Sequence, residues 1–476
     1  MQRRELLGLM ATLPFGVGHT PTRAAEAPRH PTPSRVDAVV IGAGLAGLAA
    51  ALKLQAAGLQ VQVLEARRRV GGRLKTLERD GLRFEVGGSE ISAGYARLQA
   101  LIARFEAPMQ SSGNSPVPGQ SLFHGDRLFD AADWAAHPYN PSGTRLRQLP
   151  PAAWLQHWLD LSIWKPAPAR WNDPQVLARD QSLGELLRNQ SAMPDELRLA
   201  AIGANYNDLY STSALDALRR DGLRKALADA ATSQAAAGNQ GLAEVLARAL
   251  QREVLTGARV RRVGREGRDW LIVDQEERRW RTSRVVVAIP APAAAQLELE
   301  PALPPLLLPL LCQRQYTRVL TLHFRPRSAY WEADGLSPNL WMDGPLERMF
   351  AVADAGGEVE RLIVWINGAG AQRAGQLSMG ELRRWALAEL RRIRPSTHEQ
   401  LEFLAVQRWG YGTDAGAYPE AQAGELPAIA EGLAQLPRAL PGGLAFAGDH
   451  LRFDVAGMEA AVASGEDAAT QVLARG

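Results

Sequence analysis

The sequence predicts an α/β protein built on a parallel β-sheet, and two apolar stretches near its N-terminal end carry that prediction. The run 36–41 is short and rich in β-branched residues, which is typical of a buried parallel strand. Three glycines follow at once, and the Ala- and Leu-rich segment 48–58 then reads as a helix. A second apolar run, 59–64, completes the strand–helix–strand order of a parallel unit. Alternating apolar residues at 316–324 and 362–366 predict further strands elsewhere.

The composition is that of a globular protein long enough for two or three domains. The chain has 476 residues, of which 46% are hydrophobic and 22% charged. The formal net charge is only +3, so there is no basic excess for binding nucleic acid. Cys312 is the only cysteine, which excludes a disulfide framework and a multi-cysteine metal site, and no metal is expected. No apolar run reaches the roughly 20 residues of a membrane-spanning helix.

The first 27 residues resemble a twin-arginine export signal. Arg3 and Arg4 stand directly before an apolar stretch, and an A-x-A cleavage site lies at 25–27. This predicts that the Tat export machinery carries the protein to the periplasm, and that the proline-rich segment 28–35 is a linker. The alternative is a frayed N-terminus with two chance arginines, which would leave the protein in the cytoplasm.

The three glycines form a phosphate-binding fingerprint in which each has its own function. Gly42 allows the tight turn, Gly44 lets the backbone approach a pyrophosphate, and Gly47 lets the helix pack closely on the strand. The first helical turn, with Leu45 and Ala46, offers free N–H groups and the positive end of the helix dipole. The pattern predicts a Rossmann-type dinucleotide-binding domain.

Glu65 ends the second predicted strand, where its carboxylate can accept hydrogen bonds from a ribose. The segments that follow, 66–76 and 84–89, resemble the FAD-binding N-terminus of the flavin-containing amine oxidoreductase family, which includes monoamine, polyamine and L-amino-acid oxidases. The resemblance implies that Arg69, Gly72 and Arg73 lie along the diphosphate and ribityl chain of FAD, and arginine forks suit phosphate oxygens. The other residues of this block that it implies in FAD binding are Ala66, Arg67, Gly87, Gly88 and Ser89.

Two later blocks carry the same resemblance towards the C-terminus. The first covers 241–260 and 285–290, and it implies that the backbone of Val260 meets the adenine ring. The second covers 444–450 and 457–465, and it implies that Gly448 and Asp449 meet the ribityl or diphosphate region. The helix that starts near Gly457 and Met458 would then point its N-terminus at the flavin.

The three blocks together imply a glutathione-reductase-like FAD-binding domain made of the segments 36–95, 235–299 and 435–476. The segments between them, 96–234 and 300–434, would form an inserted α+β substrate domain, a sheet flanked by helices. The stretch 134–171 in this domain is rich in tryptophan and proline. We expect its aromatic side chains to pack in the core, with a substrate entrance or a partner surface as the alternative.

The sequence departs from the family where catalysis is expected. Most amine oxidases of the family hold a lysine, through one water, at the N5 atom of the flavin. Thr321 stands at the matching position here, and no lysine follows Lys225. Strand alternation places His323 on the same face as Thr321. The hydroxyl of Thr321 can hold a water and His323 is expected to titrate near pH 7, so both are candidate catalytic residues.

The aromatic pair that encloses amines in the family is only half present. The segment 409–419 resembles the one that carries the first ring, which makes Trp409 and Tyr418 candidate catalytic residues, with Tyr418 as the ring. The second ring would fall near Gly457, which has no side chain. Some monoamine oxidases attach the flavin through a cysteine in this segment. Gly416 stands at the nearest position, so we expect the FAD to be non-covalent.

These features predict an FAD-dependent oxidoreductase that oxidises the C–N bond of an amine or amino acid to an imine. Hydrolysis of the imine gives a carbonyl compound, and oxygen or another acceptor reoxidises the flavin. Two alternatives stay open. One is a carbon–carbon desaturase of the phytoene desaturase or protoporphyrinogen oxidase type, and the other is a flavin-binding protein with a degenerate pocket.

Overall fold

The computed structural model describes residues 32–111, 115–143, 145–162, 170–412 and 416–475. The predicted export signal, 1–27, and the first half of the predicted linker, 28–31, lie outside these residues. The chain from Pro33 to Gly476 forms one compact unit.

A five-stranded parallel sheet carries the glycine loop, as the sequence predicts. The predicted strand 36–41 is Ala38–Ile41 and the predicted strand 59–64 is Val61–Glu65; both are fully buried. The helix between them is Leu45–Ala56, and it begins before Leu48 because the amide of Leu48 already donates to the carbonyl of Gly44. The order of neighbouring strands across the sheet is Leu255–Thr256, Val61–Glu65, Ala38–Ile41, Arg284–Val287 and Leu444–Phe446.

The C-terminal helix Gly457–Arg475 packs along Leu45–Ala56 on this sheet. Gly465 makes the close approach possible, because a Cβ there would lie 2.1 Å from the carbonyl oxygen of Ala46. The contact joins the first and last segments of the chain that the sequence assigns to FAD binding.

A second, larger sheet comes from the segments predicted to form the substrate domain. Its strand Val319–Pro326 pairs antiparallel with Val359–Asn367 on one side and Leu401–Trp409 on the other. The predicted strand 316–324 is divided, because Gln315–Tyr316 pairs instead with Pro419–Glu420. The larger sheet continues through Arg348–Ala353, Leu340–Met342, Ser121–His124 and Arg127–Asp130, with Ser115–Pro116 beside Arg348–Ala353.

Smaller sheets complete the β-structure. A five-stranded sheet follows the order Ser34–Arg35, Arg279–Thr282, Asp269–Asp274, Val260–Glu266 and Glu298–Glu300. A three-stranded sheet follows the order Ile91–Ser92, Thr232–Ala235 and Met109–Ser111, and Thr76–Arg79 pairs with Leu82–Glu85.

Helices cover the sheets. One of them is Ala214–Ala226, and Ser213 caps its N-terminus by accepting from the amide of Asp216. The other helices are Ala96–Arg104, Trp154–Leu161, Pro174–Leu177, Leu183–Asn189, Pro194–Gly203, Asn239–Arg248, Ala291–Ala294, Leu308–Leu311, Gly368–Ala374, Met379–Ile393 and Leu426–Ala439. None of the helices in the described ranges is long and apolar enough to cross a membrane.

The tryptophan-rich stretch packs into the core. Trp134, Trp154 and Trp158 are buried in one apolar cluster, which confirms the prediction for these three side chains. Trp171 stacks on Phe453 with ring centroids 4.2 Å apart. The central part of the stretch, 163–169, lies outside the described residues. The strands of the two main sheets fall within the predicted domain segments, and the exact boundaries of those domains stay a prediction.

Candidate active site

A cavity of about 890 Å³ collects nearly all the residues that the sequence analysis singled out. Its volume lies near the upper end of the roughly 300–1,000 Å³ that is usual for small-molecule sites. It extends from the glycine loop to the larger sheet. The predicted residues on its wall are Gly42, Gly44, Leu45, Ala46, Glu65, Ala66, Arg67, Gly72, Arg73, Gly87, Gly88, Ser89, Val260, Thr321, His323, Trp409, Tyr418, Gly448, Asp449, Gly457 and Met458.

Two bare stretches of backbone face each other at the end of the cavity that we call the glycine end (Gly42, Gly44, Glu65 and Gly72). Gly44 is the N-cap of Leu45–Ala56. A Cβ on Gly44 would come no closer than 3.9 Å to the Cα of Gly72, so it would enter the cavity without meeting protein. Gly72 has φ +58°, which favours glycine. The gap lies against a helix N-terminus, the arrangement that binds a pyrophosphate.

Two predicted residues, Gly47 and Arg69, do not lie on the cavity wall. Gly47 has the packing function expected of the third glycine, since a Cβ there would lie 1.9 Å from the carbonyl oxygen of Gly42. The guanidinium of Arg69 donates to three carbonyl oxygens of the loop 70–74. These carbonyls engage the side chain of Arg69, which thereby supports the loop that carries Gly72; that Arg69 also runs along the diphosphate stays a prediction.

Glu65 lies on the wall at the end of Val61–Glu65. Its Oε2 accepts from the amide of Ala43 and its Oε1 from the amide of Arg67, each at 2.8 Å. These bonds fix the carboxylate at the edge of the sheet, and each oxygen keeps a second lone pair for another donor. The position fits a ribose hydroxyl.

Arg73 and Asp449 form a bidentate ion pair in the middle of the cavity wall. Arg73 Nη1 donates to Asp449 Oδ2 at 2.9 Å, Nη2 donates to Oδ1, and Nη1 also reaches the carbonyl of Ala417. Burial opposes ionisation of Asp449, but the charge of Arg73 prevails and holds the pKa of that carboxyl below its ordinary value. Both groups therefore stay charged, and their charges cancel locally.

At the opposite end, which we call the sheet end (Thr321, His323, Arg361, Trp409 and Tyr418), a chain of hydrogen bonds fixes one tautomer of His323. Arg361 Nη1 lies 3.1 Å from His323 Nδ1, and His323 Nε2 lies 3.0 Å from the hydroxyl oxygen of Thr321. A guanidinium can only donate, so Nδ1 accepts and Nε2 carries the proton. The oxygen of Thr321 then accepts from His323, and its own proton is left to donate on the cavity side.

The prediction that His323 titrates near pH 7 is wrong. The residue is 1% exposed, and its ring stacks on Phe84 with centroids 5.2 Å apart. Burial lowers the pKa of His323 well below 6.5, and the charge of Arg361 lowers it further. Burial also lowers the pKa of Arg361, to about 10, so Arg361 remains the cation of this group at neutral pH.

The aromatic residues of the sheet end are held in different ways. Trp409 donates from Nε1 to the carbonyl of Val86 at 2.8 Å, which fixes its ring. Tyr418 is 36% exposed and lies on the cavity wall. A Cβ added to Gly457 would lie 3.2 Å from the hydroxyl oxygen of Tyr95, and Tyr95 also lines the cavity. A phenol therefore stands next to the position where the second ring was expected.

Two cavity residues that matter here were not singled out from the sequence. Arg361 alternates with Ile363 and Trp365 on Val359–Asn367, and all three line the cavity. The available signal was an arginine directly before the predicted strand 362–366, in alternation with Ile363 and Trp365. Arg220 lines the cavity from Ala214–Ala226, and the sequence around it carries no local signal that singles it out.

The residues present fit FAD. The glycine end offers bare backbone and a helix N-terminus for a diphosphate and a carboxylate for a ribose. The N-terminal residues of Gly457–Arg475 line the same cavity, and a helix N-terminus favours an anionic reduced flavin. Cys312, the only cysteine in the sequence, is half-buried and does not line the cavity, which agrees with a non-covalent cofactor.

The sequence of the chain is similar to those of known flavin-containing proteins. The sequence model of the family described as "Flavin containing amine oxidoreductase" matches residues 45–473. AofH of Mycobacterium tuberculosis, whose name assigns it to the flavin-containing monoamine oxidases, is 29% identical over 330 residues, which is 66% of this chain and 69% of AofH. Putrescine oxidase of Kocuria rosea is 42% identical over 106 residues, 22% of this chain and 20% of that enzyme.

Solved structures share the fold. Wild-type putrescine oxidase bound to putrescine superposes with a TM-score of 0.72 and 22% identity, covering 93% of this chain and all of that one. Cyclohexylamine oxidase from Brevibacterium oxydans superposes with a TM-score of 0.73 and 23% identity, covering 92% of this chain and 98% of that one. With the family match over most of its length and a cavity that fits FAD, the chain belongs to the flavin-containing amine oxidoreductases and is an FAD-dependent enzyme of the amine oxidase type.

Proposed function

We propose that the chain oxidises the C–N bond of an amine or amino acid to an imine, which water then hydrolyses to a carbonyl compound. The observation that supports this most is that one cavity joins the glycine end to Thr321 and Tyr418. A substrate at the sheet end would therefore lie beside the reactive ring of a dinucleotide held at the glycine end. The names of the amine-oxidising relatives support the same class of substrate.

Bound FAD supplies the acceptor for two electrons. The substrate loses the hydrogen of its α-carbon together with those electrons, and its nitrogen releases one proton to water. Trp409 and Tyr418 provide rigid ring surfaces that orient the substrate and exclude water. The hydroxyl of Thr321 donates on the cavity side and can position the water that adds to the imine carbon.

The charged wall favours a polar substrate over a hydrocarbon one. Glu85, Arg220 and Arg361 all line the cavity. A carbon–carbon desaturase acting on an apolar pigment would press hydrocarbon against these charges, and a buried charge without compensation costs several kcal/mol. We therefore retain amine or amino-acid oxidation as the proposed activity.

Anaerobic reduction of the flavin tests this proposal. The purified holoprotein is mixed without oxygen with a panel of amines and amino acids, and the absorbance of oxidised flavin is followed. We expect at least one compound to bleach the flavin and to yield one carbonyl product per flavin. If chemical reductants bleach the flavin but no compound of the panel does so, the proposal fails. Bleaching only by a pigment precursor would identify a desaturase.

We propose that oxygen is a poor acceptor and that another acceptor reoxidises the flavin in turnover. A cation beside the reduced ring speeds the reaction with oxygen because it stabilises developing superoxide. Thr321 and His323 are neutral, and Arg361 contacts the nitrogen of His323 that faces away from Thr321. Stopped-flow mixing of reduced enzyme with oxygen measures this step directly, and reoxidation faster than substrate turnover would contradict the proposal.

We propose further that the protein works in the periplasm after export through the twin-arginine route. The support is the pair Arg3 and Arg4 before an apolar stretch. Replacing both arginines by lysine keeps the charge but removes the guanidinium groups, so the variant should accumulate in the cytoplasm with its FAD bound. Undiminished periplasmic activity of this variant would exclude the route.

A further inference from the structure

Arg220 is a cation on the cavity wall that makes no hydrogen bond or ion pair to any residue the structure describes. Its guanidinium carbon lies 4.8 Å from the ring centroid of Tyr206 and 5.5 Å from that of Tyr418. The atom Nη1 is buried and has no partner. The guanidinium therefore keeps unused N–H donors, and an anionic group in the cavity can accept hydrogen bonds from those on the side that lines it.

The carboxylates near Arg220 are engaged by other groups. Asp216 accepts two bonds from Arg219, which is itself buried and also donates to the carbonyl of Phe453. Glu420 accepts from the hydroxyls of two threonines and from an asparagine. Both acids are in hydrogen-bond networks of their own, and neither bonds to Arg220. Their charges attract Arg220 but neither acid bonds to it, so the N–H donors of Arg220 on the cavity side remain for a ligand.

Because the two tyrosine rings contact the guanidinium, they limit which of its N–H groups can bind a ligand. Arginine stacks on aromatic rings through its flat face, and its N–H groups then point outward in the plane. Two parallel N–H groups in one plane match the two oxygens of a carboxylate. Tyr418, the ring beside which the substrate is expected to lie, is one of the two rings that Arg220 contacts.

We propose that Arg220 binds a carboxylate of the substrate, so that the enzyme acts on an amino acid in preference to a simple amine or a diamine. This inference rests on the proposed function and specifies its substrate class. A second ammonium group at this position would face the unpaired guanidinium and be repelled. The names of the relatives would then mislead about the substrate, because a diamine such as putrescine is the class that this cavity excludes.

Matched pairs of substrates test the proposal. Phenylalanine and phenethylamine differ only in the carboxylate, and 4-aminobutyrate and putrescine differ in the charge of the distal group. For the wild-type holoenzyme we expect kcat/KM to be about 10- to 100-fold higher for the carboxylate member of at least one pair, the range that a charge-assisted hydrogen bond supports. Arg220→Gln should remove this preference, mainly by raising KM, and Arg220→Lys should restore part of it.

A binding measurement makes the test independent of turnover. Benzoate has a carboxylate and an aromatic ring but no amine to oxidise, and we expect it to perturb the flavin spectrum of wild type with a dissociation constant that rises at least tenfold in Arg220→Gln. Arg224→Gln is the matched control. Arg224 lies on the same helix, is exposed and does not line the cavity. It should leave both the benzoate affinity and the substrate preference unchanged.

The outcomes separate this inference from the proposed function. If amines bleach the flavin but a carboxylate brings no advantage and benzoate does not bind, the inference is overturned while the function stands. If Arg220→Gln loses its FAD, the residue belongs to cofactor binding and the inference is overturned. If no compound is oxidised, the proposed function fails, and the dependence of benzoate binding on Arg220 still decides whether this is a carboxylate site.

Discussion

The glycine end of the cavity presents mainly backbone atoms, whereas the sheet end presents side chains. Gly42, Gly44, Glu65 and Gly72 come from one short stretch of chain, and what they present is mostly backbone. The sheet end assembles side chains from separate strands, with Thr321 on Val319–Pro326 and Arg361 on Val359–Asn367. Backbone recognition leaves little freedom in sequence, whereas a face of side chains can change its chemistry one residue at a time.

The regions expected to hold cofactor and substrate also differ in how their arginine side chains are paired. On the wall assigned to the cofactor, Arg73 is neutralised by Asp449 in a bidentate pair. Among the residues described at the sheet end, Arg361 is paired with a neutral histidine, and the nearby Arg220 contacts two tyrosine rings without a hydrogen bond to a carboxylate. The arginine on the cofactor wall is thus hydrogen-bonded to a carboxylate, whereas the two arginines where the substrate is expected are not, and specificity can be set there.

Gly44→Val should have the largest effect and should act on the glycine end alone. The valine side chain would enter the gap between Gly44 and Gly72, so we expect complete loss of bound FAD in a protein that still folds. The ratio of flavin to protein after purification measures this, with Gly143→Val as control because a Cβ at Gly143 would meet none of the described atoms within 4 Å. A yellow Gly44→Val protein would show that the pyrophosphate lies elsewhere.

In wild type, acid precipitation of the holoprotein should release all the flavin into the supernatant, because the FAD is expected to be non-covalent.

Thr321→Val should impair catalysis at the sheet end without affecting FAD binding at the glycine end. It replaces the hydroxyl by a methyl group of similar size, so FAD binding should persist while kcat falls about 10- to 100-fold, since one directed hydrogen bond is lost. Thr321→Ser should recover most of the activity. Equal loss of activity in both variants would mean that packing, rather than the hydroxyl, is what the position contributes.

Thr321→Lys should accelerate the reaction of reduced flavin with oxygen, by about tenfold or more if its ammonium reaches the ring, because it supplies the missing cation. Reduction of the flavin by substrate should change less. The two half-reactions are measured separately by stopped flow. An unchanged rate of reoxidation would indicate that Arg361 already supplies the charge or that position 321 does not face the flavin.

The smallest effect concerns the pH dependence of stability. His323 is neutral when folded, and its depressed pKa means that only the unfolded chain takes up a proton just below pH 6.5. Wild type should therefore lose stability as the pH falls below 6.5, by up to about 1.4 kcal/mol per pH unit from this residue. His323→Asn should show a slope smaller by that amount in urea unfolding of the holoprotein. Parallel slopes would place the pKa of His323 near its ordinary value.

The sequence was informative where the structure is local. The strand, the glycine loop, the helix and Glu65 follow one another along the chain, so their order alone predicts the glycine end. The strand 316–324 was divided because Gln315–Tyr316 found a partner more than a hundred residues away. Arg361 reaches His323 only through strand pairing, and the low pKa of His323 results from burial. Neither effect can be read before the sheet is assembled.

The direction of the hydrogen bonds from Arg361 through His323 to Thr321 has a consequence for how a substrate must arrive. Every proton in this series points towards the cavity, so the series cannot take a proton from an incoming ammonium ion. The amine would have to lose that proton to another acceptor, such as bulk water or a carboxylate of the cavity wall like Glu85, and react as the free base. At neutral pH the enzyme would then bind only the small unprotonated fraction of its substrate. The value of kcat/KM should therefore rise with pH along the titration curve of the free amine. Substrates with less basic nitrogens would gain at neutral pH for the same reason.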